Sequence, residues 1–282
     1  MSVVVDHLIV AAHTLAQGVA WCERTLGAVP APGGRHALMG THNRLVRLGG
    51  AAHAGAAAGV HASAHASASA GAHGSEHAGA AADAHASAAA GADRGAVADG
   101  HPDSHRHAYP DAYLEIIAID PDAPTPGRKR WFGLDEAALQ QSLADHGPRL
   151  IHFVARSTML DMHRWGLITV GQRPGDPVAA SRETASGLLS WQILVREDGG
   201  LDCAGALPTL IHWRSAHPAA ALPPSGVALR SLTLHGVPAR ARDVLRLRGV
   251  QVLATAGPAL QAVLSTPLGD IHLHSDSTVS KP

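Results

Sequence analysis

The fold of this chain follows from one stretch near its start, Val3-Val-Val-Asp-His-Leu-Ile-Val-Ala-Ala12. Its β-branched and apolar residues predict a strand that is buried on at least one face. A helix is predicted next, because Thr14 and Gln17 have the spacing of a capping box and Gly27 supplies a C-terminal stop. Leu15 to Leu26 carries apolar residues at helical spacing between these two signals. The chain therefore opens with a strand and an amphipathic helix.

Three strand-like pieces complete this unit, around Leu38, at 45–48 and at 113–119. Between the last two lies a stretch of 58 residues, 51–108, that holds 25 Ala and 9 His. Such a composition buries too little apolar surface to offset the entropy of ordering, so a disordered hairpin loop is predicted. Metal scavenging by its histidines is the alternative to a loop without a dedicated function. The unit is β-α-β-β-β.

The same order of elements returns after a predicted connector helix at 136–146. The second round has a strand at 150–155, a helix from 158, and strands at 178–181, 188–195 and 207–213. Its landmarks match the first round, since His7 precedes Gly27 by 20 residues and His152 precedes Gly171 by 19. Such internal similarity indicates duplication. A third, shorter round begins at Leu229.

The predicted fold class is α+β, with paired βαβββ modules forming a cup-shaped mixed sheet and a third, shorter module at the C-terminus. The predicted domain boundaries are module 1 at 1–134, a connector at 135–149, module 2 at 150–215, the third module at 226–275 and a tail at 276–282.

Composition narrows the classes of function. Lys and Arg total 22 against 23 Asp and Glu, which disfavours a nucleic-acid or membrane-surface role and leaves a small molecule as the expected partner. The sequence contains no run of about 18 or more strongly apolar residues, so no membrane span is predicted. The apolar N-terminus lacks a preceding Lys or Arg, so we interpret it as a strand and not as a signal peptide. A cytoplasmic location is expected by elimination.

Four polar residues interrupt apolar strands at corresponding places in the two modules. His7 and His152 lie in the first strands, and Glu115 and His212 lie in the last strands. Three imidazoles and one carboxylate that face one cleft would suit Zn²⁺, Fe²⁺, Mn²⁺ or Ni²⁺. The alternative is that each is an ordinary strand residue satisfied by a hydrogen bond. The coincidence of four such residues at corresponding positions of the two modules favours a metal site.

Several motifs resemble the glyoxalase-like domain family of the vicinal oxygen chelate superfamily. They are Val-Asp-His-Leu-Ile-Val at 5–10, Gly-Arg-His at 34–36, Gly-Thr-His-Asn at 40–43, Tyr-Leu-Glu-Ile-Ile-Ala at 113–118 and Arg-Trp-Phe-Gly-Leu-Asp at 130–135. The similarity covers most of 3–50 and 109–214, and it is more specific in the first half.

The resemblance implies a metal at the centre of an eight-stranded cup, held by the first and last strands of two modules. Those places fall on His7, Glu115, His152 and His212. The superfamily often has a second carboxylate where His212 stands, and this departure leaves the metal and the general base open. Related cups are built within one chain or across two, so a homodimer is among the expectations.

Other residues are candidates for substrate binding. Arg156 and Arg214 would anchor an anionic substrate, or they would form salt bridges at the rim. His42 and Asn43 would line the mouth of the cleft, or they would cap the turn before their strand.

Three functions follow from this site. The leading hypothesis is a metal-dependent lyase or isomerase that acts on a small oxygenated substrate, with Glu115 as a ligand or as the base. An Fe²⁺ ring-cleaving dioxygenase is the second. A non-catalytic small-molecule binding protein is the third, because fold alone does not decide function.

Overall fold

The structure, a computed structural model, describes residues 2–49, 109, 111–184 and 187–275. The predicted loop at 51–108 and the predicted tail at 276–282 lie outside the described residues. No helix in the described part of the chain is long and apolar enough to cross a membrane.

The first eight strands form one sheet in the order β2-β3-β4-β1-β5-β8-β7-β6. The strands are β1 (Val4–Ala11), β2 (Ala31–His36), β3 (Thr41–Arg47), β4 (Tyr113–Ile119), β5 (Arg149–Arg156), β6 (Asp176–Thr184), β7 (Gly187–Val195) and β8 (Thr209–Trp213). The helices beside them are α1 (Leu15–Leu26), α2 (Ala137–His146) and α3 (Leu160–Thr169). Edge strands β2 and β6 also contact each other, so the sheet curves into a nearly closed cup.

The two modules are related through the centre of this sheet. β1 pairs parallel with β4, β5 pairs parallel with β8, and β1 pairs antiparallel with β5. Each module therefore places its first strand beside its last, and the predicted cup of paired βαβββ modules is confirmed.

Alternate residues of each central strand enter two different cores. Leu8 and Phe153 belong to the outer core, which includes the buried side chains of α1 and α3. Ile9 and Val154 belong to the inner core, which fills the concave side of the cup. This alternation decides which polar residues of the central strands face the cup.

The local sequence accounts for most element ends, with one correction at β2. Thr14 accepts a hydrogen bond from the backbone N–H of Gln17, and Gly27 ends α1 with φ +63°, as the capping signals predict. The strand predicted around Leu38 instead spans Ala31–His36, and Leu38 lies in the following turn. The sequence of β2, Ala-Pro-Gly-Gly-Arg-His, has little strand propensity, but edge strands tolerate Pro and Gly.

The C-terminal residues form a separate four-stranded sheet of order β10-β9-β11-β12. It comprises β9 (Ala228–His235), β10 (Val250–Leu253), β11 (Leu260–Thr266) and β12 (Gly269–His274), with α4 (Ala239–Leu245) after β9. The predicted β-α-β-β-β order is present. The pairing differs from the first two modules, because β9 pairs parallel with β10 and not with the last strand.

Candidate functional site

A buried aspartate orients the first candidate ligand. His7 Nδ1 lies 2.7 Å from Asp6 Oδ1, and a register shift between Val5 and His7 accompanies this contact between adjacent side chains. The other Asp6 oxygen accepts hydrogen bonds of 3.0 Å from Trp213 Nε1 and His217 Nε2. Burial would raise the pKa of Asp6, but the hydrogen bonds from His217 and His7 hold it well below its usual range. The Asp6 carboxylate therefore directs His7 Nε2 towards the cup.

Glu115 meets His7 on the concave face of the sheet. Its Oε2 lies 3.3 Å from His7 Nε2, and both side chains are almost fully buried. Burial would lower the pKa of His7, but the hydrogen bonds to Asp6 and Glu115 raise it to about 9. Burial would raise the pKa of Glu115, but the hydrogen bond from His7 and its charge lower it to about 2. The two groups form a buried ion pair.

Asn43 fixes the second oxygen of Glu115. Its Nδ2 donates to Glu115 Oε1, while its own Oδ1 accepts a 2.7 Å hydrogen bond from the backbone N–H of Gly34. The Gly34 contact leaves the amide nitrogen of Asn43 to face the carboxylate. Glu115 is therefore held from both sides, by His7 and by Asn43.

Two glycines of β2 allow this close approach. A Cβ on Gly33 would lie 2.0 Å from Asn43 Oδ1, and a Cβ on Gly34 would lie 2.3 Å from Arg182 Nη1. Arg182 projects from β6, in the other module, and its Nη1 lies 3.4 Å from Asn43 Oδ1. A guanidinium therefore comes close to the Asn43 amide that holds Glu115.

The His7–Glu115 pair faces a small cavity of about 30 Å³, enough for one or two water molecules or a metal ion. His36, Trp131 and Trp191 line this cavity and also a larger cleft of about 660 Å³. His36 is edge-on to Trp131 at 5.0 Å, and burial lowers its pKa to about 4. These three side chains form the wall between the cleft and the ion pair.

His152 does not join His7 and Glu115 as a ligand. Its Nδ1 lies 2.8 Å from the Gly205 carbonyl, so Nδ1–H donates there. Its Nε2 accepts from the backbone N–H of Thr209 at 3.1 Å and lies 3.0 Å from Thr209 Oγ1. Burial lowers its pKa to about 4. His152 is neutral, and the lone pair that a metal requires is already engaged.

His212 lies on the outer face of the sheet, which corrects the predicted ligand set. Leu210 belongs to the outer core and Ile211 to the inner core, so His212 shares the face of Leu210. His212 Nδ1 lies 3.0 Å from the Ser157 carbonyl. The error arises because sequence spacing does not fix strand register.

Strand register identifies Thr209 as the counterpart of Glu115. Glu115 pairs with Ile9, two residues after His7, whereas Thr209 pairs with Val154, two residues after His152. The first module therefore carries a His–Glu pair where the second carries a His–Thr pair. Duplication has left one ionisable pair and one neutral pair at equivalent positions.

The four candidate substrate-binding residues lie in different places. Arg156 pairs with Asp111 at 3.5 Å, as a rim salt bridge would. Arg214 lines the 660 Å³ cleft. Asn43 faces the cavity, but His42 points to the opposite side of β3 and lies 3.8 Å from Asp120. His42 is therefore not a cavity residue.

Asp6, His36 and Arg182 are among the site residues that were not predicted from the sequence. Asp6 carried a usable signal, because an acid beside a histidine within an apolar strand requires a buried partner. His36 lay within a family motif but was not assigned a role. Arg182 had no local signal, because only closure of the cup brings β6 close to β2.

The residues fit part of the predicted metal site. His7 and Glu115 are a nitrogen and an oxygen donor facing one cavity, and each is oriented by an outer group, as metal ligands commonly are. No group of three or more His, Cys, Asp or Glu side chains within the described ranges could hold a metal ion. The two-histidine, one-carboxylate set that the dioxygenase alternative requires is thus not assembled there.

Sequence comparison identifies one family. The sequence profile described as "Glyoxalase-like domain" matches residues 5–105 and 73–246. No curated protein matches this chain.

Solved structures with distant similarity include a hypothetical protein from Staphylococcus aureus, with 10% identity, a TM-score of 0.48 and coverage of 99% of this chain and 88% of that one. A variant of Streptomyces coelicolor methylmalonyl-CoA epimerase in complex with 2-nitronate-propionyl-CoA has 12% identity, a TM-score of 0.35 and coverage of 75% and 94%. Methylmalonyl-CoA epimerase from Mycobacterium tuberculosis has 12% identity, a TM-score of 0.31 and coverage of 77% and 91%. Similarity at this level carries no argument about function.

Proposed function

The chain belongs to the glyoxalase-like domain family, and from this premise we propose that it is a metal-dependent isomerase or lyase acting on a small oxygenated acid. The observation that carries the proposal is the buried His7–Glu115 pair at the floor of the cup. Such a pair combines a proton donor and a proton acceptor 3.3 Å apart. Proton transfer next to a carbonyl group is the chemistry that this arrangement suits best.

Metal binding would displace the proton that lies between the two groups, and His7 Nε2 and one Glu115 oxygen would then hold the divalent ion. When bound there, the ion would supply Lewis acidity that polarises a carbonyl and makes the neighbouring C–H more acidic. Residues next to this pair would keep the two metal-binding side chains in place. Asp6 fixes the His7 ring, and Asn43 fixes the Glu115 carboxylate.

Positive side chains near the pair support an acidic substrate. Arg182 lines the inner cavity, and Arg214 lines the outer cleft. A guanidinium can donate two parallel hydrogen bonds to a carboxylate. A substrate that lies in the cleft with its carboxylate near Arg214 would direct its reacting end at the wall of His36, Trp131 and Trp191.

The inner cavity is too small for a whole substrate, since about 30 Å³ holds one or two water molecules. Only a reacting group would enter, and the aromatic wall would have to move to admit it. Such a wall excludes bulk water, which strengthens the electrostatic interactions of the pair.

The test combines metal analysis with proton exchange. The full-length protein would be loaded separately with Zn²⁺, Fe²⁺, Mn²⁺ or Ni²⁺, and its bound metal would be measured by mass spectrometry. Deuterium incorporation from D₂O into a panel of 2-oxo and 2-hydroxy acids would then be followed by NMR. In the wild type we expect one bound ion and exchange at the carbon next to the carbonyl. The His7→Ala and Glu115→Gln variants should each lose the ion.

His212→Ala is the matched control, because it removes an imidazole from the outer face of the same sheet. It should leave metal content and exchange unchanged. Stoichiometric metal that persists in both His7→Ala and Glu115→Gln would place the ion elsewhere and overturn the proposed site. Exchange without metal would refute metal dependence while leaving the acid–base pair as the reacting groups.

A further inference from the structure

A third cavity, of about 1040 Å³, lies beside the C-terminal sheet. Residues of α2, β5 and the loop after β10 line it, and its walls are largely apolar, as at Leu139, Ile151 and Ala259. Phe132 is the only described residue that lines both this cavity and the one at His7 and Glu115. We call it the C-terminal cavity. Its volume is in the range of small-molecule binding sites.

A buried histidine with an unused nitrogen faces the C-terminal cavity. His235 is 8% exposed, and its Nδ1–H donates to the Thr255 carbonyl at 2.8 Å. The Nε2 atom is buried and has no hydrogen-bond partner. Because Nδ1 carries the proton in the neutral ring, Nε2 is an acceptor that lacks a donor.

The ring of His235 cannot easily turn to find another partner. Gly257 lies against its face, where an added Cβ would be 2.7 Å from Cε1 and 3.0 Å from both ring nitrogens. A glycine is therefore required at this contact. Buried polar atoms are nearly always satisfied in folded proteins, so an unpaired nitrogen in a residue that lines a cavity calls for a partner from water or from a ligand.

Arg149 supplies a second unused group on the same cavity. Its Nε is buried without a hydrogen-bond partner, and no ion pair involves this guanidinium in the part of the chain that the structure describes. Glu136 also lines the cavity, but its side chain is exposed to solvent. The guanidinium of Arg149 therefore lines the cavity with an Nε that has no acceptor among the described residues.

We propose that the C-terminal cavity binds a largely apolar organic acid that also carries a hydroxyl or N–H group. The hydroxyl or N–H would donate to His235 Nε2, and the anionic oxygen would accept from Arg149. The apolar body would contact Leu139, Ile151 and Ala259. This site is separate from the His7–Glu115 pair and does not depend on the chemistry assigned there.

The dye 1-anilinonaphthalene-8-sulfonate is a suitable probe, because it combines apolar rings, an N–H donor and a sulfonate. Titration of the full-length protein should raise the dye fluorescence to saturation at one equivalent. Ala256→Trp, which fills the cavity from an exposed position, should abolish this binding. Loss of either hydrogen bond in His235→Leu or Arg149→Gln should weaken it about fivefold or more.

Ala180→Trp is the matched control, since it fills the other large cleft, at 660 Å³. It should bind the dye as tightly as the wild type. Urea unfolding of each variant separates loss of binding from loss of folding, and Arg149→Gln provides a polar test if His235→Leu fails to fold. The proposal is overturned if the wild type does not bind, if Ala180→Trp and not Ala256→Trp removes binding, or if the two polar variants bind like the wild type.

Discussion

His7 Nε2 lies 3.3 Å from Glu115 Oε2, while the opposite ring nitrogen of His7 lies 2.7 Å from Asp6. One imidazole therefore bridges two buried carboxylates. A buried charge is tolerated only when it is paired and hydrogen-bonded, so the charged forms of Asp6, His7 and Glu115 depend on one another.

Asp6→Asn should destabilise the protein by about 3 kcal/mol, because it leaves the buried, charged ring of His7 without one of its two carboxylate partners. The same change should lower the pKa of His7, since the hydrogen bond to Asp6 and its charge both raise it. Urea unfolding would measure the first effect, and NMR titration of the His7 ring would measure the second.

Asp122→Asn is the control for this experiment. Asp122 also pairs with a cation, Arg35 at 3.0 Å, but its side chain is 72% exposed. Its loss should cost less than about 1 kcal/mol. Equal losses in the two variants would show that the Asp6 network contributes no more than a surface salt bridge.

Gly33→Ala should destabilise the protein by about 2 kcal/mol or more. The added Cβ would lie 2.0 Å from Asn43 Oδ1 and 2.4 Å from the Asn43 carbonyl oxygen, and a backbone atom cannot move aside cheaply. Gly127→Ala is the matched control, with no atom within 4 Å of its Cβ. Thermal unfolding would compare them, and similar melting temperatures would contradict the tight packing of β2 on β3.

His152 makes the stability depend on pH. Burial lowers its pKa to about 4 in the folded protein from the ordinary 6.5 of a histidine, so the unfolded chain binds protons more readily between these values. The contribution of His152 to stability is fully present above pH 6.5 and is lost as the pH falls towards 4, by about 3 kcal/mol. Urea unfolding at several pH values should show this fall.

The His152→Gln variant should show a shallower fall between pH 6.5 and 4, even if it is less stable at every pH. His13→Gln, which replaces an exposed histidine, should retain the wild-type slope. Identical slopes in His152→Gln and the wild type would mean that His152 is not buried in its neutral form.

Removal of residues 51–108 should leave the fold intact. The strands that this stretch connects already meet at its base, where Arg47 pairs with Tyr113 and the Leu48 N–H donates to the Ala112 carbonyl at 2.8 Å. A shorter connection loses less entropy on folding, so the free energy of unfolding should stay the same or rise by up to about 2 kcal/mol. Loss of cooperative urea unfolding would refute the interpretation of 51–108 as a loop.

The sequence by itself determined the order of elements and the family. The β-branched and apolar residues of Val3–Ala12 and 113–119, and the caps at Thr14 and Gly27, are local signals that act within a few residues. Duplication of the unit also followed from the sequence, because His7 and His152 occupy matching places in it. These features depend on neighbours along the chain.

The composition of the site was decided only by the tertiary structure. A strand pattern says that His212 and Leu210 share a face, but not which face is concave, and residue counts do not reveal that Thr209 stands opposite Val154. Arg182 reaches Asn43 across 139 residues because the cup closes. Strand register and sheet closure arise from packing between distant segments, and a shift of one residue moves every side chain to the other face.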